Sequence, residues 1–150
     1  MRPCKTLLIT MIAASLCGCT HSSSQSVNLA LTGIHRNAGQ IGRVTLTDVN
    51  NQTNLNFYIT GVPTGTLLPP RVFTFIHKGS CQQPGAMAYA LNDQVNTKSN
   101  AGTKGWGFYR SAPVPLATLL ASPHSIVLRS APSDGDTDIF CGDIAAPTRN

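Results

Sequence analysis

The sequence contains no glutamate. Its six acidic residues are all Asp, and charged residues make up 11% of the 150, against about 25% in an average soluble domain. That shortage excludes a coiled coil, an acidic tail or a surface helix held by Glu–Lys pairs. No apolar run is long enough for a stable membrane-spanning helix, the candidate at Leu7–Leu16 covering ten residues where about twenty are needed. Aromatic residues amount to 6%, with one Trp, so a core consumes most of them. Lys and Arg are scattered, which excludes the clustered basic footprint of a nucleic-acid binder. What is present in quantity is Thr, Val, Ile and Gly, together with ten Pro, a composition that favours strands and turns. The length allows one domain.

The N-terminus reads as a targeting segment. Arg2 and Lys5 precede the apolar run, as in a secretory signal. The run ends in Leu16-Cys17-Gly18-Cys19, which resembles the bacterial lipobox. The resemblance implies a signal peptide over 1–18, cleavage before Cys19 and diacylglycerol on the Cys19 sulfur; the alternative is an ordinary cleaved signal with a chance cysteine. Multiple acyl chains anchor stably where one is marginal. Thr20, a residue other than Asp after the cysteine, implies an outer-membrane destination in the bacterial cell envelope. Residues 19–26 are Ser-rich and read as a flexible tether, leaving 27–150 as the folded domain. Removing Arg2 and Lys5 leaves nine basic residues against six acidic ones, a mild net +3.

Cysteine counting is then short. Cys4 and Cys17 leave with the signal, Cys19 carries lipid, and Cys81 and Cys141 remain. In an oxidising compartment this pair predicts a disulfide. Closing a loop of about 60 residues contributes about 4 kcal/mol in the chain-entropy model.

Period-two alternation recurs along the domain. Val27, Leu29 and Leu31 mark one strand. Val44 and Leu46, then Leu55, Phe57 and Ile59, mark two more, joined at Asn50-Asn51; residues 41–61 therefore read as a hairpin. Gly61–Pro70 is a loop by its Pro and Gly content. Val72–His77 is a strand with Phe73, Phe75 and His77 on one face. Cys81–Gly85 is a turn, Met87–Leu91 a strand, Asn92–Lys104 a polar loop and Trp106–Tyr109 an aromatic strand. Pro115–Ala121 suits a helical turn, Ser125–Ser130 and Ile139–Ile144 are strands, and Ala131–Thr137 is a polar loop. Seven or eight short strands predict an all-β antiparallel barrel or sandwich.

Three patches resemble the bacterial periplasmic copper–zinc superoxide dismutases. Gly39-Gln40-Ile41-Gly42-Arg43-Val44-Thr45-Leu46-Thr47 looks like an early strand of that family. Phe75-Ile76-His77-Lys78-Gly79-Ser80-Cys81-Gln82 looks like the stretch that carries two copper-ligand histidines and the first disulfide cysteine. Phe140-Cys141-Gly142-Asp143-Ile144 looks like the terminal strand with the second cysteine. The resemblance implies a Greek-key β-barrel and the Cys81–Cys141 pairing.

The family's chemistry does not carry over. Its His-x-His reads Phe75-Ile76-His77 here. Its last copper histidine corresponds to Arg129, which stays protonated and cannot ligate. Between Cys81 and Pro123 there is no His, and the one acid is Asp93. The substrate-guiding Arg of the family corresponds to Asp138, whose charge would repel an anion. A single histidine does not make a copper site, since a metal site needs about three protein ligands.

The remaining candidates have plain readings beside the functional ones. His77 is either a leftover metal ligand or a polar filler bonded to backbone; the second is favoured. His124, just after Pro123, reads as a surface residue at a loop end, and nothing local brings His35, His77 and His124 together. Asp134, Asp136 and Asp138 have the spacing that starts a calcium loop, but its sixth position is Ile139 and no Glu closes it. Trp106, Phe108, Tyr109 and Arg110 read as core strand before exposed patch. The expectation is a non-catalytic, lipid-anchored envelope protein with a superoxide-dismutase-like scaffold. It would need no cofactor, attach to the membrane through its N-terminal lipid, and bind a protein or surface partner and no nucleic acid. The alternatives are copper or zinc handling through His77 and, behind it, true dismutase activity.

Overall fold

Asn50 and Asn51 reverse the chain with both φ angles positive, 53° and 62°. Asn tolerates this conformation, and it matches the twist of a two-residue hairpin. The hairpin joins β2 (Ile41–Val49) to β3 (Gln52–Ile59), in register from Gly42 opposite Ile59 to Val49 opposite Gln52. A computed structural model describes residues 24–146; the expected signal peptide and the Cys19 lipid site lie outside these residues. The other strands are β1 (Ser26–Gly33), β4 (Val72–Gly79), β5 (Pro84–Ala90), β6 (Lys98–Ser99), β7 (Trp106–Ala112), β8 (His124–Ser130) and β9 (Asp138–Ile144), with one helical turn, α1 (Leu116–Leu120). β1 takes in Ser26, which the sequence reading assigns to the tether.

All strands pair antiparallel in one sheet ordered β5-β4-β8-β9-β1-β2-β3-β7-β6. β1–β3 form a meander. The chain then crosses to the far end of the sheet for β4 and β5, returns for β6 and β7, and crosses again for β8 and β9. The sheet is curled, because β4 and β7 stand near opposite ends of the order and still touch: Arg110 on β7 donates from Nη2 to the Val72 carbonyl on β4 at 2.7 Å.

The gap between the two sheet ends is filled by loop backbone. Leu91 N–H donates to the Thr74 carbonyl, Val72 N–H donates to the Val95 carbonyl, and Arg71 bridges to Asn96. Two residues further on, Lys98 and Ser99 pair with β7. The polar loop expected at Asn92–Lys104 is thus the segment that completes the curl. Its polar composition fits, since its backbone groups bond to strand edges, Asn92 Oδ1 and Thr97 Oγ1 add side-chain bonds to Thr74 N–H and the Pro70 carbonyl, and Asp93, Gln94 and Asn96 face water.

Alternation decides what is inside. Val44, Phe57 and Phe108 sit opposite one another on β2, β3 and β7 and are buried, and the two Phe rings stack 4.7 Å apart. Leu116 and Leu119 of α1 cap one end of this core with no exposed surface, held there by a hydrogen bond from Leu116 N–H to Asp48 Oδ2.

Candidate functional site

Phe73, Phe75 and His77 occupy the outward face of β4, as their spacing predicts, and all three are half-buried. Phe73 lies opposite Arg129 on β8, Phe75 opposite Val127 and His77 opposite Ser125. On the other side of β8, Arg129 lies opposite Asp138 and Val127 opposite Cys141 on β9. These registers bring all four suspected former-site residues, Phe75, His77, Arg129 and Asp138, onto one patch.

Within the patch, Arg129 holds the centre. Its Nε donates to Asp138 Oδ1 at 2.7 Å, and its guanidinium carbon lies 5.2 Å from the Phe75 ring centroid. The hydrogen bond to Asp138 pushes the Arg129 pKa further up, with the charges of Asp138 and Asp136 adding to it against a smaller opposing effect of burial. The guanidinium is a fixed cation here. The Phe75 and His77 rings meet edge to face at 6.4 Å. His77 Nδ1 lies 3.2 Å from the Gly85 carbonyl oxygen, an acceptor to which it donates when it carries the proton.

The disulfide borders this patch. Cys81 and Cys141 are joined with their Cα atoms 5.9 Å apart, tying the turn after β4 to β9. Cys81 N–H adds a 2.6 Å hydrogen bond to Asp143 Oδ1. Ser125, between His77 and Asp143 in the cross-strand row, is completely buried and its Oγ has no hydrogen-bond partner among the described residues.

The other described histidines do not join. His124 lies opposite Lys78, one position off from His77, and a one-residue offset turns a strand side chain to the other face. His124 is buried, with Nδ1 3.1 Å from the Leu119 carbonyl oxygen and 2.9 Å from that of Ser122. This corrects the surface position expected from its loop-end sequence: α1 covers it. His35 is exposed in a short 3-10 turn. Among the described residues no group of three or more His, Cys or Asp side chains is placed to hold a metal ion.

The Asp run disperses as well. Asp134 Oδ1 accepts from Leu67 N–H at 3.0 Å, while Asp138 is committed to Arg129. The aromatic run divides by parity: Phe108 and Arg110 are buried, whereas Tyr109 is 72% exposed. Neither a wholly buried strand nor a wholly exposed patch describes it.

Arg110 follows the core reading of its strand, and Tyr109 is the member that departs from it. Arg110 is a buried cation, over the Phe108 ring at 4.7 Å. Its Nη1 and Nη2 donate to the carbonyls of Tyr109 and Val72, and burial pushes its pKa down to about 10. Its even spacing from Phe108 was the available signal. No protein-family model matches the chain, and no curated protein matches it.

Proposed function

We propose that this protein is a non-catalytic, lipid-anchored envelope protein that uses a superoxide-dismutase-like scaffold for binding. The carrying observation is the Arg129 cluster. Where the resemblance puts copper ligands, a guanidinium lies over Phe75 and pairs with Asp138. A fixed cation repels a metal ion and has no lone pair to offer it. Among the described residues His77 is the one imidazole on that patch, and its Nδ1 lies 3.2 Å from the Gly85 carbonyl oxygen. The residues present therefore do not fit a copper or zinc centre.

The three crossings of the chain over the sheet and the Cys81–Cys141 tether support the scaffold part of the reading. The anchor rests on the Leu16–Cys19 sequence alone. A scaffold without its metal set serves what its surface can bind.

The test is metal response. The full chain, disulfide intact and held in detergent, is titrated with Cu²⁺ and Zn²⁺ while its melting temperature and dismutase activity are followed. A ligand that binds only the native state raises the melting temperature, so an unchanged Tm with background activity is the expected result. A stoichiometric shift that disappears in His77→Ala would replace this reading with metal handling through the second imidazole nitrogen. Activity above background would replace it with dismutation.

A further inference from the structure

On the opposite side of the curl, the outward face of β1, β2, β3 and β7 carries a lattice of hydrogen-bonding side chains. Asn28, Thr45, Asn56 and Tyr109 form one cross-strand row, and Ser26, Thr47, Asn54 and Ser111 form the next. Thr45 Oγ1 already donates to Asn28 Oδ1 at 2.7 Å, which orients the row. None of these eight residues is charged. These two rows offer a ligand amides and hydroxyls to bond, while Val49 and Leu91 add apolar wall beside them, a mixture that suits a small-molecule site.

Two hollows of about 590 and 560 Å³ lie along this face and the loop that closes the curl. They share Asn56, Gln94, Tyr109 and Arg110 as walls. Each falls within the range of about 300–1,000 Å³ that holds a small organic ligand. Tyr109, 72% exposed, stands where they meet. An exposed tyrosine on a polar face offers a flat ring for stacking and a hydroxyl for hydrogen bonding. The apolar face of a sugar ring is complementary to the first, and its hydroxyls to the second and to the Asn, Gln and Thr amides and hydroxyls around it.

Charge narrows the ligand. The charged residues lining the two hollows are Arg43, Lys98 and Arg110 against Asp93. Among the described residues Arg110 has no ion-pair partner: its Nη groups are spent on main-chain carbonyls, and Nε has none at all. Three cations against one anion, two of the cations near an exposed rim, complement a ligand with spaced negative charges. Carboxylate, like phosphate, has a geometry that matches an arginine fork, and Arg43 is the exposed arginine here.

We infer that the β2–β3–β7 outer face and the loop at Asp93–Asn100 form a binding groove for an acidic glycan, a sugar chain carrying carboxylates, with Tyr109 as the stacking platform. The inference deepens the reading of the protein as a non-catalytic binding module and rests on it. The glycan lies along β7, its rings passing over Tyr109, its hydroxyls bonded to Asn54, Asn56 and Gln94, and its carboxylates drawn to Arg43 and Lys98.

The experiment is calorimetric titration of the full chain in detergent with hexagalacturonate, maltohexaose and hexaglutamate. Saturable binding of hexagalacturonate is expected, at least tenfold tighter than either of the others. Tyr109→Ala and Asn56→Ala should each weaken it tenfold or more with an unchanged melting temperature, both side chains being outside the core. Absence of saturable hexagalacturonate binding overturns the inference. Equal binding of maltohexaose removes the acidic requirement and overturns it, and equal binding of hexaglutamate reduces it to charge alone and overturns it. Undiminished binding by Tyr109→Ala overturns it too. Any of these, with no metal response, leaves the non-catalytic reading standing; a metal-dependent shift defeats that reading without altering the glycan result.

Discussion

Arg129 covers the Phe75 ring from 5.2 Å, reaching across from β8 to β4. The contact is diagonal: Phe75 is opposite Val127, two residues from Arg129. Such diagonal neighbours lie within reach of long and aromatic side chains. Because Asp138 holds the same guanidinium from β9, three strands are pinned together at one point.

Arg129→Ala should therefore cost about 1 kcal/mol. The Asp138 pair is partly exposed and contributes little by itself, and the contact with Phe75 adds about 0.5–1 kcal/mol. A double-mutant cycle of Arg129→Ala with Phe75→Leu in urea should return a coupling of about 0.5 kcal/mol or more. A coupling of zero would mean that the ring and the guanidinium are neighbours without interacting.

Reduction of Cys81–Cys141 should lower stability by about 2–4 kcal/mol, because the bridge joins residues 60 apart. The double substitution Cys81→Ser/Cys141→Ser should show the same loss in urea melts, and the wild type in reducing agent should match it.

Arg110 leads to a pH prediction of definite sign. Burial pulls its pKa down from the ordinary arginine value to about 10. Between those values the unfolded chain binds more protons than the folded one, so this group's contribution to stability rises with pH. The slope is about 1.4 kcal/mol per pH unit for one proton. Arg110→Met removes the titration, so the stability of the wild type relative to the variant should climb from pH 10 to pH 11. A difference that stays flat would show that Arg110 keeps its proton in the fold.

Gly142→Ala should be among the more damaging single-methyl changes. A Cβ there would stand 2.6 Å from the Ala30 carbonyl oxygen and 2.6 Å from Leu31 Cδ2, inside the β9–β1 seam. Overpacking of this kind costs about 1–3 kcal/mol. Gly107→Ala is the control, since its nearest atom would be at 3.7 Å, and it should be close to neutral.

The strands and the 41–61 hairpin were legible because each is a local pattern. Period-two alternation places Val44 and Leu46 inside and Thr45 and Thr47 outside wherever the sheet runs, and Asn50-Asn51 carries its own turn preference. The disulfide followed from counting two remaining cysteines. The convergence of Phe75, His77, Arg129 and Asp138 was legible only through the resemblance, since residues 75 and 138 have no local link.

The sequence by itself settled an all-β antiparallel chain, its turns, its cysteine pair and the poverty of metal ligands, all properties of residue type and short-range spacing. Only the tertiary structure decided which face each strand's outer residues share. Register turned His124 inward, away from His77. Curl carried Arg110 to β4, where main-chain carbonyls make a buried cation tolerable. Loop closure set Gln94 beside Tyr109. These outcomes depend on which strands become neighbours, and pairing between residues far apart in the chain is set by the sum of core burial over the whole sheet.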